Sequence, residues 1–227
     1  LFRSENIPAI VGMAAALKEA VANIKDGASI MVGGFMAVGT PEPLIDAIVK
    51  KGVKDLIIVC NDAGYEDRGV GKLIANGQVK KLVASHIGLN PQAGQKMSDG
   101  TLDIELVPQG TLVERIRAYG AGLGGFLTPT GIGTMVEGGK EIKTIDGVEY
   151  LLELPIKADF AILCADLCDE LGNLTYSKTT RNFNPVMAMS AEHVIVYPNK
   201  HVKRGEINPE MVVTPHIFVN SIIKEAN

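Results

Sequence analysis

The stretch that most constrains this fold is Asp26-Gly-Ala-Ser-Ile-Met-Val-Gly-Gly-Phe-Met-Ala-Val-Gly-Thr-Pro41. Ala28 to Val32 is apolar except for Ser29 and is bounded by glycine, which predicts a short buried strand. Gly33 and Gly34 break it, because two residues without Cβ allow positive φ and close approach to the main chain. A helix is expected next, with Thr40 as N-cap, Pro41 in the first turn and Glu42 against the positive end of the helix dipole. Strand, glycine loop and helix N-terminus together make a candidate anion site. The spacing alone leaves a ligand-free turn equally open. Gly-x-Gly-x-x-Gly is absent from this loop, and Thr40-Pro41 stands where a phosphate-binding P-loop requires Lys-Ser/Thr, so nucleotide hydrolysis is not expected.

The same alternation continues along the chain. Helical spacing covers Ala14 to Lys25 and Pro43 to Lys51. Leu56 to Cys60 is a strand without polar interruption, and its character, like that of Lys81 to Ser85 and Ile104 to Val107, is that of parallel strands covered on both faces. Short helices fall near Gly69 to Ala75, Gln92 to Met97 and Thr111 to Arg117. Glu141 to Pro155 reads as a hairpin around Asp146-Gly147, a type I′ signal. Phe160 to Leu167 and His193 to Tyr197 are strands, Asn184 to Ala191 is a helix, and Val212 to Ile223 is extended. The predicted fold is α/β: an open, mostly parallel, doubly wound sheet with helices on both faces and an antiparallel hairpin in the second half. With 227 residues, 46% of them hydrophobic, and no low-complexity linker or internal repeat, a single domain from 13 to 227 is the simplest division. Residues 1–12 carry no period and read as a remnant of cloning.

Composition excludes several classes. A net charge of −4 without a basic run gives no reason to expect nucleic acid or an anionic membrane as partner. No apolar run has the length of a membrane span and no signal peptide is recognisable, so the expected location is the cytoplasm. Cys60, Cys164 and Cys168 are expected as buried, small hydrophobes. His86, His193, His201 and His216 show no paired spacing beside them, and no metal site is expected. His86 follows a strand, where a strand-end histidine is a simpler reading than an acid/base.

Gln109 lies just beyond a predicted parallel strand, where open α/β sheets bind ligands. Its amide donates without carrying charge, as a site for a developing oxyanion needs, although a glutamine satisfying its own loop fits the same position. Glu114, Arg115 and Arg117 fit a solvated or subunit-facing helix surface, and Arg181-Asn182-Phe183-Asn184 could order a loop near a site.

The pattern over Asp26-Gly27, Gly33-Gly34-Phe35, Gly39 and Pro41 resembles the first signature of the family I coenzyme A transferases. Val107-Pro-Gln-Gly-Thr-Leu-Val-Glu-Arg-Ile-Arg117, Gly120-Ala-Gly122, Leu127-Thr-Pro-Thr-Gly131, Ala158-Asp-Phe-Ala-Ile162, Gly172-Asn173 and Arg181-Asn-Phe-Asn-Pro185 are similar to the same family. Within it the chain most resembles the alpha subunit of the acetate/butyrate–acetoacetate type. The resemblance implies exchange of CoA between an acyl-CoA and a carboxylate through a glutamyl-CoA thioester, with acyl-CoA as substrate and no permanently bound cofactor. It places Gln109 at the active site and Gly33, Gly34, Phe35, Met36, Ala37, Val38 and Gly39 along the acyl and CoA pocket, main chain outward. In two-subunit members the nucleophilic glutamate sits in a Glu-Asn-Gly motif of the beta subunit, and no such motif occurs here. Ser4-Glu5-Asn6 echoes it without the glycine and at the wrong end, so Glu5 is a decoy. A partner beta subunit, with an α2β2 assembly, is therefore implied. A ligand-binding regulator, a CoA-ester hydrolase or a sugar-phosphate isomerase of similar architecture are the alternatives.

Overall fold

The computed structural model describes residues 9–224. The strands are β1 (Ala9–Gly12), β2 (Ser29–Val32), β3 (Leu56–Cys60), β4 (Val79–Ala84), β5 (Asp103–Leu106), β6 (Phe126–Thr128), β7 (Ile142–Ile145), β8 (Val148–Glu153), β9 (Ala158–Asp169), β10 (Leu174–Thr175), β11 (Ala191–Val202) and β12 (Ser221–Lys224). The helices are α1 (Met13–Ala20), α2 (Glu42–Lys51), α3 (Val70–Ala75), α4 (Pro91–Ser98), α5 (Gln109–Gly120) and α6 (Asn184–Ala188).

The main sheet has the order β1-β12-β11-β9-β2-β3-β4-β5, with β10 on β9. Every pairing along that path is parallel, and only β10 runs antiparallel. Side chains of successive strand residues point to opposite faces. Ile30, Ile58 and Leu82 accordingly enter one core with Ile24, Leu44, Ile48 and Leu73 of the segments 13–75. Their neighbours Met31, Val59 and Val83 enter a second core with Leu112 and Ile116 of α5 and Val186 and Met187 of α6. The sheet is covered on both sides at its centre, which is why β3 and most of β9 read as continuous apolar runs.

From β2 the chain steps outward through β3, β4 and β5, then returns at β9 on the other side of β2 and steps through β11 to β12. The direction of winding therefore reverses between β2 and β9, and a crevice forms outside the carboxyl ends of strands at such a switch point. The loop that follows β2 opens there.

The small sheet, in the order β6-β8-β7, holds the hairpin foreseen at Asp146-Gly147; both turn residues are left-handed, at φ 50° and 79°. Glu153 of β8 is buried and ion-paired to Lys140, with the Arg115 guanidinium 3.7 Å away. Arg115 also reaches Glu105 of β5 at 2.9 Å and donates to the Leu154 carbonyl at 2.9 Å, so it fastens the small sheet to the main one through α5. It is not part of a solvated surface. Burial pushes the Glu105 carboxyl up, but the paired Lys81 and Arg115 outweigh it and hold Glu105 below the usual range.

Some boundaries differ from the expected ones. Ala9–Gly12, expected outside the domain, pairs in parallel with β12; residues 1–8, Glu5 among them, lie outside the described residues. Val212 to Ile223 is not one extended stretch: two short 3-10 turns, Pro209–Met211 and His216–Phe218, precede β12. Among the described residues no helix is long and apolar enough to cross a membrane.

Candidate functional site

The carboxyl ends of β2, β3, β4 and β5 carry the polar groups of the site. After β2, Phe35 and Val38 form an antiparallel bridge, with Phe35 N to Val38 O at 3.0 Å and Val38 N to Phe35 O at 2.9 Å. Met36 and Ala37, at φ 50° and 63°, make its turn, which is a type I′ hairpin built without glycine or asparagine at its centre. Left-handed backbone costs a residue with a Cβ about 1–2 kcal/mol, so something outside the tip must hold it.

That support comes from two sides. The Asp62 carboxylate, after β3, accepts from Met36 N at 2.9 Å and from Gly64 N at 2.9 Å. Asn182 accepts from Gly34 N at 3.0 Å and donates to Val38 O at 3.1 Å, while Asn184 donates to Gly39 O at 3.0 Å and accepts from Cys164 N of β9. The Arg181–Asn184 segment thus crosses the switch point and clasps both ends of the loop. The glycines serve this clasp: a Cβ on Gly33 would stand 1.8 Å from Asn184 Oδ1, and one on Gly34 would stand 1.9 Å from Thr40 Oγ1.

The amides of Gly33, Gly34, Phe35, Met36 and Val38 all donate within the chain. The expected outward main chain is not what the structure shows; the loop turns out side chains instead. Phe35, Met36 and Val38 are 38%, 38% and 46% exposed, an apolar tip on an otherwise buried loop. Nor is Thr40 the N-cap of α2. Pro41 takes that position without a side-chain bond, and Glu42 receives Gly69 N at 2.7 Å and Lys72 at 2.8 Å.

Gln109 is the first residue of α5, after β5, and its Nε2 donates to Asn61 Oδ1 at 2.8 Å. Asn61 is buried and also accepts from Ser85 Oγ, so its orientation is fixed from β4. One of the two amide hydrogens of Gln109 is thereby engaged. Asn61 and Asp62 are consecutive: one holds Gln109 and the other holds the Met36 tip. The structure therefore brings the glycine loop and Gln109 to the same dipeptide. The sequence reading passed over that dipeptide, although a polar pair directly after an apolar parallel strand was a usable signal.

His86 is a strand-end residue bridged to Asp62 through the backbone, with its ring standing over Gly88. Cys60, Cys164 and Cys168 are buried. Burial pushes the thiols up, to about 11 for Cys164 and about 12 for Cys168, which keeps them protonated and unreactive. A groove of about 710 Å³ lies between α1 and α2, lined by Leu17, Val21, Pro43 and Ala47 with lysines at its edges, and contains none of the groups just described.

The family model for coenzyme A transferase matches residues 14–225. The chain belongs to the coenzyme A transferase family. It is 52% identical over 207 residues to the acetate CoA-transferase subunit alpha of Escherichia coli K12, covering 91% of this chain and 94% of that one. It is 53% identical over 201 residues to the acetoacetyl-CoA:acetate/butyrate CoA transferase alpha subunit of Clostridium acetobutylicum, covering 88% and 92%. Among solved structures, the acyl-CoA transferase of Escherichia coli O157:H7 in its thioester complex with CoA has the same fold. Its TM-score is 0.82 at 24% identity, over 96% of this chain and 47% of that one. Family membership thus rests on the sequence matches, and the distant structure agrees with them in architecture.

Proposed function

We propose that this chain is the alpha subunit of a transferase that moves CoA between a short-chain acyl-CoA and acetoacetate or another carboxylate. The nucleophilic glutamate is supplied by a beta subunit, in an assembly of two alpha and two beta chains. The observation that carries the reading is the Gln109–Asn61 hydrogen bond beside Asp62, because it sets a neutral donor next to an exposed apolar wall at the sheet's switch point. The naming of two relatives as alpha subunits of acetate and acetate/butyrate transferases supports it.

In this mechanism the partner's carboxylate attacks the thioester carbonyl, and the collapse releases CoA thiolate and leaves an acyl-glutamyl anhydride. The thiolate then attacks the glutamyl carbonyl, freeing the first acid and leaving glutamyl-CoA, from which the acceptor acid takes CoA by the reverse sequence. Each tetrahedral intermediate carries an oxyanion. A neutral amide suits it: a cation at Gln109 would pair with the ground-state carboxylates as strongly as with the oxyanion, and uniform binding does not accelerate the step. Phe35, Met36 and Val38 would line the acyl end and keep water from the anhydride.

A hydrolase or isomerase reading needs an acid/base carboxylate in this chain. Asp62 is occupied by two amides and Glu42 by Gly69 and Lys72, so neither is available for proton transfer. The test is co-expression with a chain of similar size carrying Glu-Asn-Gly. The mixture should co-purify and exchange CoA between acetyl-CoA and acetoacetate; a stable complex with no exchange would remove the reading.

A further inference from the structure

The loops after β2 and β3 are built alike. Gly34-Phe-Met-Ala-Val-Gly39 and Gly64-Tyr-Glu-Asp-Arg-Gly69 each span six residues between glycines of positive φ, and each closes through an antiparallel bridge, Phe35 to Val38 and Tyr65 to Arg68. They differ at the centre. Met36 and Ala37 are left-handed, whereas Glu66 and Asp67 are not. Only the first loop has a strained tip, and only that tip is apolar and exposed.

Asp62 lies between them with 6% of its surface exposed. One oxygen takes the amide of Met36, at the strained tip, and the other takes the amide of Gly64, where the second hairpin begins. Two N–H groups approaching one side chain need two acceptors. A carboxylate supplies them, whereas an asparagine would turn an NH2 toward one of the donors. The side chain thus couples the strained apolar tip to a hairpin whose own tip is not left-handed.

We propose that Asp62 is a positioning residue that sets acyl-chain selection: by pinning Met36 N–H it holds the Phe35–Val38 tip as a rigid wall that closes the acyl end of the pocket. Asp62 does not touch the reacting atoms. This rests on the transferase reading above, since it presumes that the tip lines the acyl site.

The test uses the complex of this chain with its beta subunit, with Asp62→Asn against wild type. The first readout is the ratio of kcat/KM for acetyl-CoA to that for hexanoyl-CoA. Both constants scale with the amount of active complex, so partial unfolding leaves the ratio unchanged. The ratio should fall about tenfold, the scale on which hydrophobic pockets discriminate methylenes. The second readout is hydrogen exchange. The Met36 amide should lose about 30-fold or more of its protection while Ile30 to Val32 of β2 stay protected, because the opening is local. Unchanged protection at Met36, or lost protection with a ratio within twofold of wild type, overturns the proposal. If Asp62→Asn gives no folded complex, Asp62→Ser keeps an acceptor for the Gly64 amide two residues on and releases the Met36 amide, and the same shift in ratio is expected. A wild-type complex that exchanges no CoA defeats the transferase reading itself and takes the acyl-selection role with it. A normal wild-type ratio that the variants do not move defeats the role of Asp62 alone.

Discussion

Replacing Gln109 by alanine in the assembled enzyme is expected to lower turnover by about 10² to 10³, the usual effect of removing one preorganised oxyanion donor. The Gln109 Nε2 hydrogen bond to Asn61, itself held by Ser85 just beyond β4, fixes the amide before any substrate arrives. Reorganisation at the moment of reaction is therefore small, and the loss should appear in kcat more than in KM. Stability should change little, because Gln109 is exposed at the first turn of α5. Steady-state kinetics on the complex, with a urea titration alongside, separates the two effects. Turnover within threefold of wild type would remove the donor role.

The second large effect is on folding. Gly33→Ala should destabilise the chain by about 3–5 kcal/mol, because the new methyl group would stand 1.8 Å from Asn184 Oδ1. Asn184 is fully buried and cannot swing into solvent. Moving it breaks bonds to Cys164 N, Gly39 O and Thr180 O, at 3.1, 3.0 and 2.9 Å, and leaves buried groups unpaired. Gly94→Ala is the control. It lies inside α4 with nothing within 4 Å of the added methyl, and alanine there should be neutral or stabilising by up to about 1 kcal/mol. Urea midpoints of the two variants measure the contrast. A loss below about 1 kcal/mol for Gly33→Ala would show that the clasp gives way cheaply.

The parts of the fold visible in the sequence were those governed by local period and turn chemistry. Strand β3 falls on the expected Leu56–Cys60, α2 ends at Gly52 with φ 74°, and Asp146-Gly147 makes the foreseen turn. What escaped depends on partners far along the chain. Ala9–Gly12 is too short to show a period and becomes a strand only by lying against residues 221–224. The apolar run from Val212 reads as extended, yet Pro215 and the turn His216–Phe218 interrupt it, and Thr214 pairs with Leu174 rather than continuing a ladder. At the site, the glycines were recognised and Gly34 has the expected positive φ, but their neighbours within the chain were not foreseen. Gly33 and Gly34 accommodate Asn184 and Thr40, which come from α6 and from the chain just beyond the loop, and no spacing rule reports such a neighbour. Arg115 looked like surface because its three salt-bridge and carbonyl contacts lie on β5 and at the end of β8.

The central claim is that this chain supplies the wall and the neutral donor while the nucleophile arrives on another chain. Incubating the purified complex with acetoacetyl-CoA in the absence of an acceptor, then locating covalent CoA by mass spectrometry of the separated subunits, tests it most directly. The account predicts CoA on a glutamate of the beta subunit and none on this chain. A CoA adduct on a carboxylate of this chain, or CoA exchange catalysed by this chain alone, would contradict it.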